Sequence, residues 1–152
     1  MAFLSSMNIV SSGLTAQQLR LDIVAENVTN STTTQVENGE GSYRRKMVVF
    51  EAETGRDGFR RAMARAASGM VPNTGAAGGV KVTQIVEDPS PMKLVYDPTH
   101  PDANEDGYVE MPNVDMVKEM TDAMAATQAF SANVTMLNTM KTVITDGLQI
   151  GK

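Results

Sequence analysis

The chain has 152 residues and a formal net charge of −5 at pH 7, with 13 Lys and Arg against 18 Asp and Glu. This charge argues against nucleic acid as the main partner, because binding to phosphates requires a basic surface. The sequence has no Cys, which excludes disulfides, thiolate zinc sites and cysteine catalysis. No apolar run approaches the roughly 20 residues that cross a bilayer, so we expect no direct membrane insertion.

The N-terminal segment, residues 1–34, shows the apolar pattern of a helix that packs along one side. Its apolar residues step by three and four, and this spacing predicts a helix over residues 5–29. The stripe comprises Met7, Val10, Leu14, Gln17, Leu21, Val24 and Val28, with Gln17 its one polar position. The first residues lack the basic and apolar segments of a secretory signal peptide. We therefore expect any export from the cytoplasm to use another route.

Residues 35–112 differ in composition, since they contain most of the Gly and all six Pro of the chain. Asn38-Gly39 and Glu40-Gly41 are turn signals. A flexible loop is predicted near residues 54–79, where a Gly-rich stretch offers little to pack. The apolar stretches between these turns predict strands at Tyr43–Glu53, Val80–Glu87, Met92–Tyr96 and Tyr108–Met111. The segment is therefore a small β-rich insert.

The C-terminal segment, residues 113–152, shows a heptad pattern, and no Pro or Gly interrupts it between Pro112 and Gly147. Asn113 is predicted to cap a helix, with Asp115 in its first turn. The heptad positions are Met116, Met120, Ala123, Thr127, Phe130, Val134, Leu137, Lys141, Ile144 and Leu148. We therefore predict an α+β fold in which long terminal helices form a coiled-coil-like bundle around a small β-rich insert. Whether the two helices pack within one chain or between chains stays open.

Charge is divided unevenly along the chain. Seven of the thirteen Lys and Arg lie in residues 44–65, and ten of the eighteen acids lie in residues 87–122. Two interpretations remain open. The segments are either solvated faces or opposite patches through which subunits pack head to tail.

The segment Asp102-Ala-Asn104-Glu-Asp106-Gly107 matches the opening of an EF-hand calcium loop. The twelfth position, where a bidentate Glu is needed, is Asn113, and Pro112 precedes it. A polar Asx-type turn is therefore the favoured interpretation. His100 is the only histidine and has no second His or Cys to share a metal. We expect no metal, no cofactor and no catalytic residue.

Three stretches of the sequence, at the two ends and in the insert, carry recognisable motifs. The N-terminal Ser12–Thr33, which contains Ala25-Glu-Asn27-Val-Thr-Asn30, resembles the shared N-terminal motif of the bacterial flagellar rod and hook proteins, although Glu26 and Thr29 depart from it. The tail from Ala132 to Gly151 is similar to their C-terminal helix. The insert resembles the C-type proximal-rod proteins of that family in Tyr43-Arg-Arg-Lys-Met-Val-Val-Phe50, Tyr96-Asp-Pro-Thr-His-Pro-Asp-Ala103 and Gly107-Tyr-Val-Glu-Met-Pro-Asn-Val114.

The resemblance implies a structural subunit of the flagellar proximal rod and not an enzyme. It also implies export by the flagellar type III apparatus without a cleaved signal peptide, followed by assembly in the periplasmic part of the basal body. The implied partners are further copies, other rod proteins, the base of the basal body and the export apparatus. A cytoplasmic coiled-coil adaptor is the alternative, and an enzyme is a more distant third. The assembly interface is predicted at Leu14, Leu21, Val24, Asn27, Val28, Asn30, Met120, Phe130, Val134, Leu137, Ile144 and Leu148.

Overall fold

A computed structural model describes residues 2–36, 41–54, 63, 66 and 77–150. Two long helices enclose the strands in chain order, which confirms the predicted α+β class. The helices are α1 (Ala2–Thr29) and α2 (Met116–Ile150); the strands are β1 (Lys46–Thr54), β2 (Ala77–Glu87), β3 (Lys93–Tyr96) and β4 (Tyr108–Met111). Over the described residues, neither helix combines the length and the apolar character that a membrane span needs.

The prediction that Asn113 caps α2 is wrong. The helix begins at Met116, and Asp115 Oδ1 accepts a hydrogen bond from the Val117 N–H at 3.0 Å. Asp115 is therefore the cap, where its carboxylate also suits the helix dipole. Asn113 instead bridges two segments: its Oδ1 accepts from the Arg45 N–H at 2.8 Å, and its Nδ2 donates to the carbonyl oxygens of Asp88 and Ser90.

The strands follow the predicted order but not all of the predicted bounds. β1 begins at Lys46 because Tyr43 lies outside the sheet, where its N–H donates to the Thr33 carbonyl at 3.1 Å. β2 begins at Ala77, three residues before the predicted start, and β4 has the predicted bounds. Most of the flexible loop predicted near residues 54–79 lies outside the described residues. The division of the chain at residues 34 and 112 stays a prediction.

The described strands form two sheets of two strands each. β1 pairs with β2, and β3 pairs antiparallel with β4, with Lys93 opposite Met111 and Tyr96 opposite Tyr108. The chain enters β4 through Gly107, which has φ +79°. A Cβ at that position would also lie 3.0 Å from the Tyr96 ring, so glycine is required there on two counts.

The chain divides into two compact units, and the first contains residues 1–17, 50–83 and 128–152. In it, the Ser12 hydroxyl of α1 donates to the Ile9 carbonyl at 2.7 Å and accepts from the Val80 N–H of β2 at 3.1 Å. Gly79 approaches so closely that a Cβ would lie 2.2 Å from Ser12 Oγ. A Cβ at Gly13 would lie 3.0 Å from the Asn133 side chain of α2. Small residues therefore allow these close approaches.

The second unit contains residues 18–49 and 84–127. Its largest fully buried side chains are those of Glu119, Asn27 and Pro112, so two of the three are polar. Such groups are costly to bury unless each finds a partner. The described residues of this unit that are buried and apolar include Ile23, Val24, Tyr43, Val109, Val114 and Ala126, besides Pro112.

The exposed surface of α2 has two recurring features. Six of its threonines donate their hydroxyl hydrogen to the carbonyl oxygen four residues earlier, at 2.8–3.1 Å. These are Thr121, Thr127, Thr135, Thr139, Thr142 and Thr145. Large apolar side chains are also exposed along the helix, at Met116, Val117, Met120, Met124, Met136, Val143 and Leu148.

Candidate assembly site

Asn27 is the centre of a buried polar cluster in the second unit, and only 1% of the residue is exposed. Its Nδ2 donates to Glu119 Oε2 at 3.0 Å and to the Lys46 carbonyl at 2.9 Å. Its Oδ1 accepts from the Tyr43 hydroxyl and from the Lys46 N–H, both at 2.9 Å. The amide thus makes all four hydrogen bonds available to it. Asn27 therefore ties α1 to the start of β1 and to α2.

Glu119 is fully buried, and its charge is balanced by Arg45. The Arg45 Nε donates to Glu119 Oε1 at 2.6 Å, while the other two guanidinium nitrogens face Asp122 at 3.2 Å and Asp88 at 3.5 Å. Asp122 in turn accepts from Arg20 of α1 at 3.0 Å. A buried carboxylate with a charged, hydrogen-bonded partner is tolerated, but the same carboxylate alone is strongly destabilising.

Lys46 and Tyr43 close the cluster on the side of β1. The Lys46 ammonium pairs with Glu26 and lies 5.5 Å from the centre of the Tyr43 ring, within the range of a cation–π contact. Burial, together with the negative charges of Glu26, Glu119 and Glu87, raises the pKa of the Tyr43 hydroxyl well above its usual range. Tyr43 therefore remains a hydrogen-bond donor to Asn27 even in alkaline solution.

Replacement of Tyr43 by phenylalanine tests this arrangement. We expect a loss of about 1 kcal/mol in the free energy of unfolding at pH 7, because the hydrogen bond to Asn27 is removed. In the native protein the raised pKa means that the folded state keeps a proton which the unfolded state releases above about pH 10, so stability falls as pH rises further. Urea unfolding between pH 8 and 11 should show a shallower alkaline decline for Tyr43→Phe than for the control Tyr108→Phe. Equal declines would contradict the assignment.

Two residues of the basic segment, Arg45 and Lys46, form ion pairs within the chain. Arg45 and Lys46 of the basic segment pair with Glu119 and Glu26, and Lys81 of β2 lies 3.6 Å from Glu51 of β1. Arg45 and Lys46 therefore already have partners in their own chain, and the head-to-tail interpretation stays a prediction for the rest of the basic segment. Arg44 is exposed, and the other four arginines of the segment, at 56, 60, 61 and 65, lie outside the described residues.

The segment that resembles a calcium loop forms an Asx turn, as the favoured interpretation predicted. Asn104 Oδ1 accepts from the N–H groups of Asp106 and Tyr108 at 3.1 and 2.8 Å. The Asp102 carboxylate accepts from the Thr34 hydroxyl at 2.7 Å and from the Gln35 amide. Among the described residues, no group of three or more carboxylate, imidazole or thiol side chains is placed to hold a metal ion.

The twelve residues predicted for the assembly interface fall into three classes of exposure. Val24 and Asn27 are buried within the chain, whereas Met120 and Leu148 are 58% and 70% exposed. The other eight are half-buried, and the interface role of all twelve stays a prediction. They are Leu14, Leu21, Val28, Asn30, Phe130, Val134, Leu137 and Ile144.

An apolar stripe lies on the exposed side of the first turns of α2, next in the chain to Glu119 of the polar cluster. We call it the methionine stripe; it consists of Met116, Val117, Met120 and Met124, all of them exposed. At 3.6 residues per turn, the stripe lies about a third of the circumference away from the buried positions Glu119 and Ala126. The two faces of the helix are therefore available to different neighbours.

Sequence patterns did not single out Glu119, which lies one residue before a predicted heptad position. Periodicity selects apolar residues, and the buried face of α2 in this unit contains Glu119 and Ala126 instead of Met120. The spacing could have identified Glu119, because residues seven positions apart lie on the same face of a helix and Ala126 lies seven residues after Glu119. A charge on such a face needs a partner, and Arg45 lies 74 residues away in the chain.

The sequence is similar to one family model and to several known proteins. Residues 105–150 match the family model described as flagellar basal body rod FlgEFG protein C-terminal. The chain is 43% identical to the flagellar basal-body rod protein FlgC of Bacillus subtilis, with 97% of each chain covered. It is 38% identical to the protein of that name from Borreliella burgdorferi, with 99% of this chain and 98% of the relative covered. The corresponding protein of Salmonella typhimurium is 39% identical over the full length of both chains.

Proposed function

This chain belongs to the family of FlgC flagellar basal-body rod proteins, and we propose that it polymerises through its two terminal helices into the proximal part of the rod, the shaft that transmits torque. It is a structural subunit of the flagellar basal body and not an enzyme. Its partners are further copies and other rod proteins, together with the base of the basal body and the export apparatus. We propose that this assembly uses no cofactor.

The observation that carries this proposal is the methionine stripe. Three unbranched Met side chains and Val117 are exposed along successive turns of one helix, and such contiguous apolar surface marks an interaction site. Methionine adapts its shape to different surfaces, which suits a helix that contacts unlike neighbours in one assembly. An apolar stripe at helical spacing is most readily covered by another helix. The twelve residues predicted from the sequence are proposed to contribute to the same assembly interface.

The buried polar cluster supports a role under mechanical load. Hydrogen bonds of fixed geometry connect α1, the start of β1 and α2 inside one unit, through Asn27, Arg45 and Glu119. Torque applied to one of these elements passes to the others because they cannot slide without breaking buried polar contacts. Open helical assembly then needs contacts between unlike surfaces that do not close into a ring.

Substitution of two exposed apolar residues separates assembly from folding. We expect Met120→Glu and Leu148→Glu to abolish motility, because a carboxylate buried in a subunit interface costs several kcal/mol unless it is paired. Both side chains are exposed in the single chain, so its free energy of unfolding should change by no more than about 0.5 kcal/mol. The matched control is Ala125→Glu, which places the same side chain at an exposed position beside the methionine stripe. Swimming halos and urea unfolding of the purified chain give the two readouts.

Normal swimming of both variants would overturn the assembly role of these positions.

Export distinguishes the rod subunit from the cytoplasmic adaptor. A rod subunit should remain in the cytoplasm when the flagellar export apparatus is deleted, and should be found with basal bodies when the apparatus is present. Recovery of the chain only from the cytoplasm of swimming cells would favour the adaptor.

A further inference from the structure

The outer face of the β3–β4 sheet is an exposed aromatic surface. The register places Leu94 opposite Glu110 and Tyr96 opposite Tyr108, so these four side chains share one face. Leu94 and Tyr96 are 64% and 65% exposed, and the rings of Tyr96 and Tyr108 lie 5.3 Å apart, edge to face. Val109 on the opposite face of β4 is buried. We call the four outward residues the tyrosine face.

Acidic residues lie on β4 and in the loop that joins it to β3, beside the tyrosine face in the chain. Residues 94–117 contain six Asp and Glu but no Lys or Arg. Glu105, Asp106 and Glu110 are exposed. Hydrogen bonds from Thr99 hold the pKa of Asp97 below its usual range, so that carboxylate is ionised at neutral pH. A partner for this face therefore needs both apolar and basic groups.

The chain itself contains a segment with this chemistry between β1 and β2. Residues 56–65 carry Arg56, Arg60, Arg61 and Arg65 against the single acid Asp57, together with Phe59 and Met63. The Met63 side chain is 64% exposed. Because each copy has a net charge of −5, copies repel one another unless a basic segment of one meets an acidic surface of the next.

We propose that the tyrosine face binds residues 56–65 of a second copy of this chain. The contact is separate from the terminal helices and rests on the proposed polymerisation. Arginine guanidinium groups stack on tyrosine rings and pair with the surrounding carboxylates, while Leu94 receives an apolar side chain. The two surfaces are unlike, so the contact can repeat from copy to copy without closing on itself.

Disulfide trapping between copies tests the contact, since the native chain has no Cys. One population of chains carries Met63→Cys and the other carries Leu94→Cys, and both are produced in cells that lack the native gene. Mixed basal bodies from swimming cells are oxidised, and the crosslinked peptides are identified. We expect a reducible 63–94 dimer at a yield at least about tenfold above that of the control pair Met63→Cys with Ala125→Cys, because bound partners have millimolar effective concentrations.

A charge exchange gives a second measurement that does not depend on trapping. Arg60→Glu with Arg61→Glu should reduce motility, and so should Glu105→Lys with Glu110→Lys. Combining the four substitutions in every copy should restore motility, because each contact again joins opposite charges. A general fault in folding or export would persist in the combined variant.

The outcomes separate this contact from the proposed function. Swimming cells without the 63–94 crosslink overturn the tyrosine-face contact and leave the rod assignment standing. A third sample is the chain that carries both Met63→Cys and Leu94→Cys; a crosslink that forms within it, but not between the two single-cysteine populations, shows that the face binds its own chain and overturns the proposal. Failure of the combined charge variant to recover motility shows that one of the two surfaces meets a different partner, which also overturns it.

Discussion

Replacement of Arg45 by alanine is expected to lower the free energy of unfolding by about 3–5 kcal/mol, because it leaves the buried Glu119 carboxylate without its cation. Glu119 has no exposed surface through which water could take the place of the guanidinium. The contacts of Arg45 with Asp88 and Asp122 add less, since both carboxylates reach solvent. Urea unfolding of the purified chain at pH 7 measures the change.

The neighbouring arginine provides the control for this variant. Arg44 is exposed, so Arg44→Ala should change the free energy of unfolding by less than about 0.5 kcal/mol. Adding Glu119→Gln to Arg45→Ala should recover a part of the loss, because a neutral amide is less costly to bury than an unpaired carboxylate. Equal effects of Arg44→Ala and Arg45→Ala would contradict the assigned ion pair.

Replacement of Asn27 by aspartate has the second large expected effect, a loss of about 3–5 kcal/mol at pH 7. The substitution preserves shape but removes the two donors that face Glu119 Oε2 and the Lys46 carbonyl at 3.0 and 2.9 Å. It also places a second carboxylate beside a buried first one, and two such groups at hydrogen-bonding distance cannot both remain ionised.

Two further variants isolate the causes of the Asn27 effect. Asn27→Ala removes the four hydrogen bonds without adding a charge, and it should cost less than Asn27→Asp. Asn138→Asp makes the same chemical change at an exposed position of α2 and should stay within about 0.5 kcal/mol of the native chain. Similar losses for the substitutions at positions 27 and 138 would show that Asn27 is not the buried centre of the cluster.

The sequence predicted the helices and the order of the strands because those features are encoded in neighbouring residues. The apolar spacing of three and four predicted a helix that ends at Thr29, where α1 ends. The apolar stretches between the turn residues predicted β4 with its observed bounds. Periodicity reports which side of an element is apolar, and it does so from a window of ten to twenty residues. The α+β class could therefore be predicted from local patterns alone.

The polar cluster could not be predicted in the same way, because its members are distant in the chain. Asn27, Arg45 and Glu119 come from three segments, and each residue type is common on solvated surfaces. The resemblance to rod and hook proteins drew attention to Asn27 and suggested an interface between subunits. The structure gives its amide four partners within the chain. The pairing depends on how the segments pack, which hydrophobic spacing does not specify.

The threonines of α2 change the character of its surface in a way that a hydropathy scale does not record. Each of the six hydroxyl groups already donates to a carbonyl oxygen of its own helix, so the methyl group is the part left to meet a neighbour. Thr127, which interrupts the heptad pattern as a polar residue, behaves in this respect like a small aliphatic side chain. Such a residue leaves water with its donor already satisfied, so dehydrating it costs less than dehydrating a free hydroxyl group. A helix rich in threonine can thus stay wettable as a single chain and still form a dry contact in an assembly.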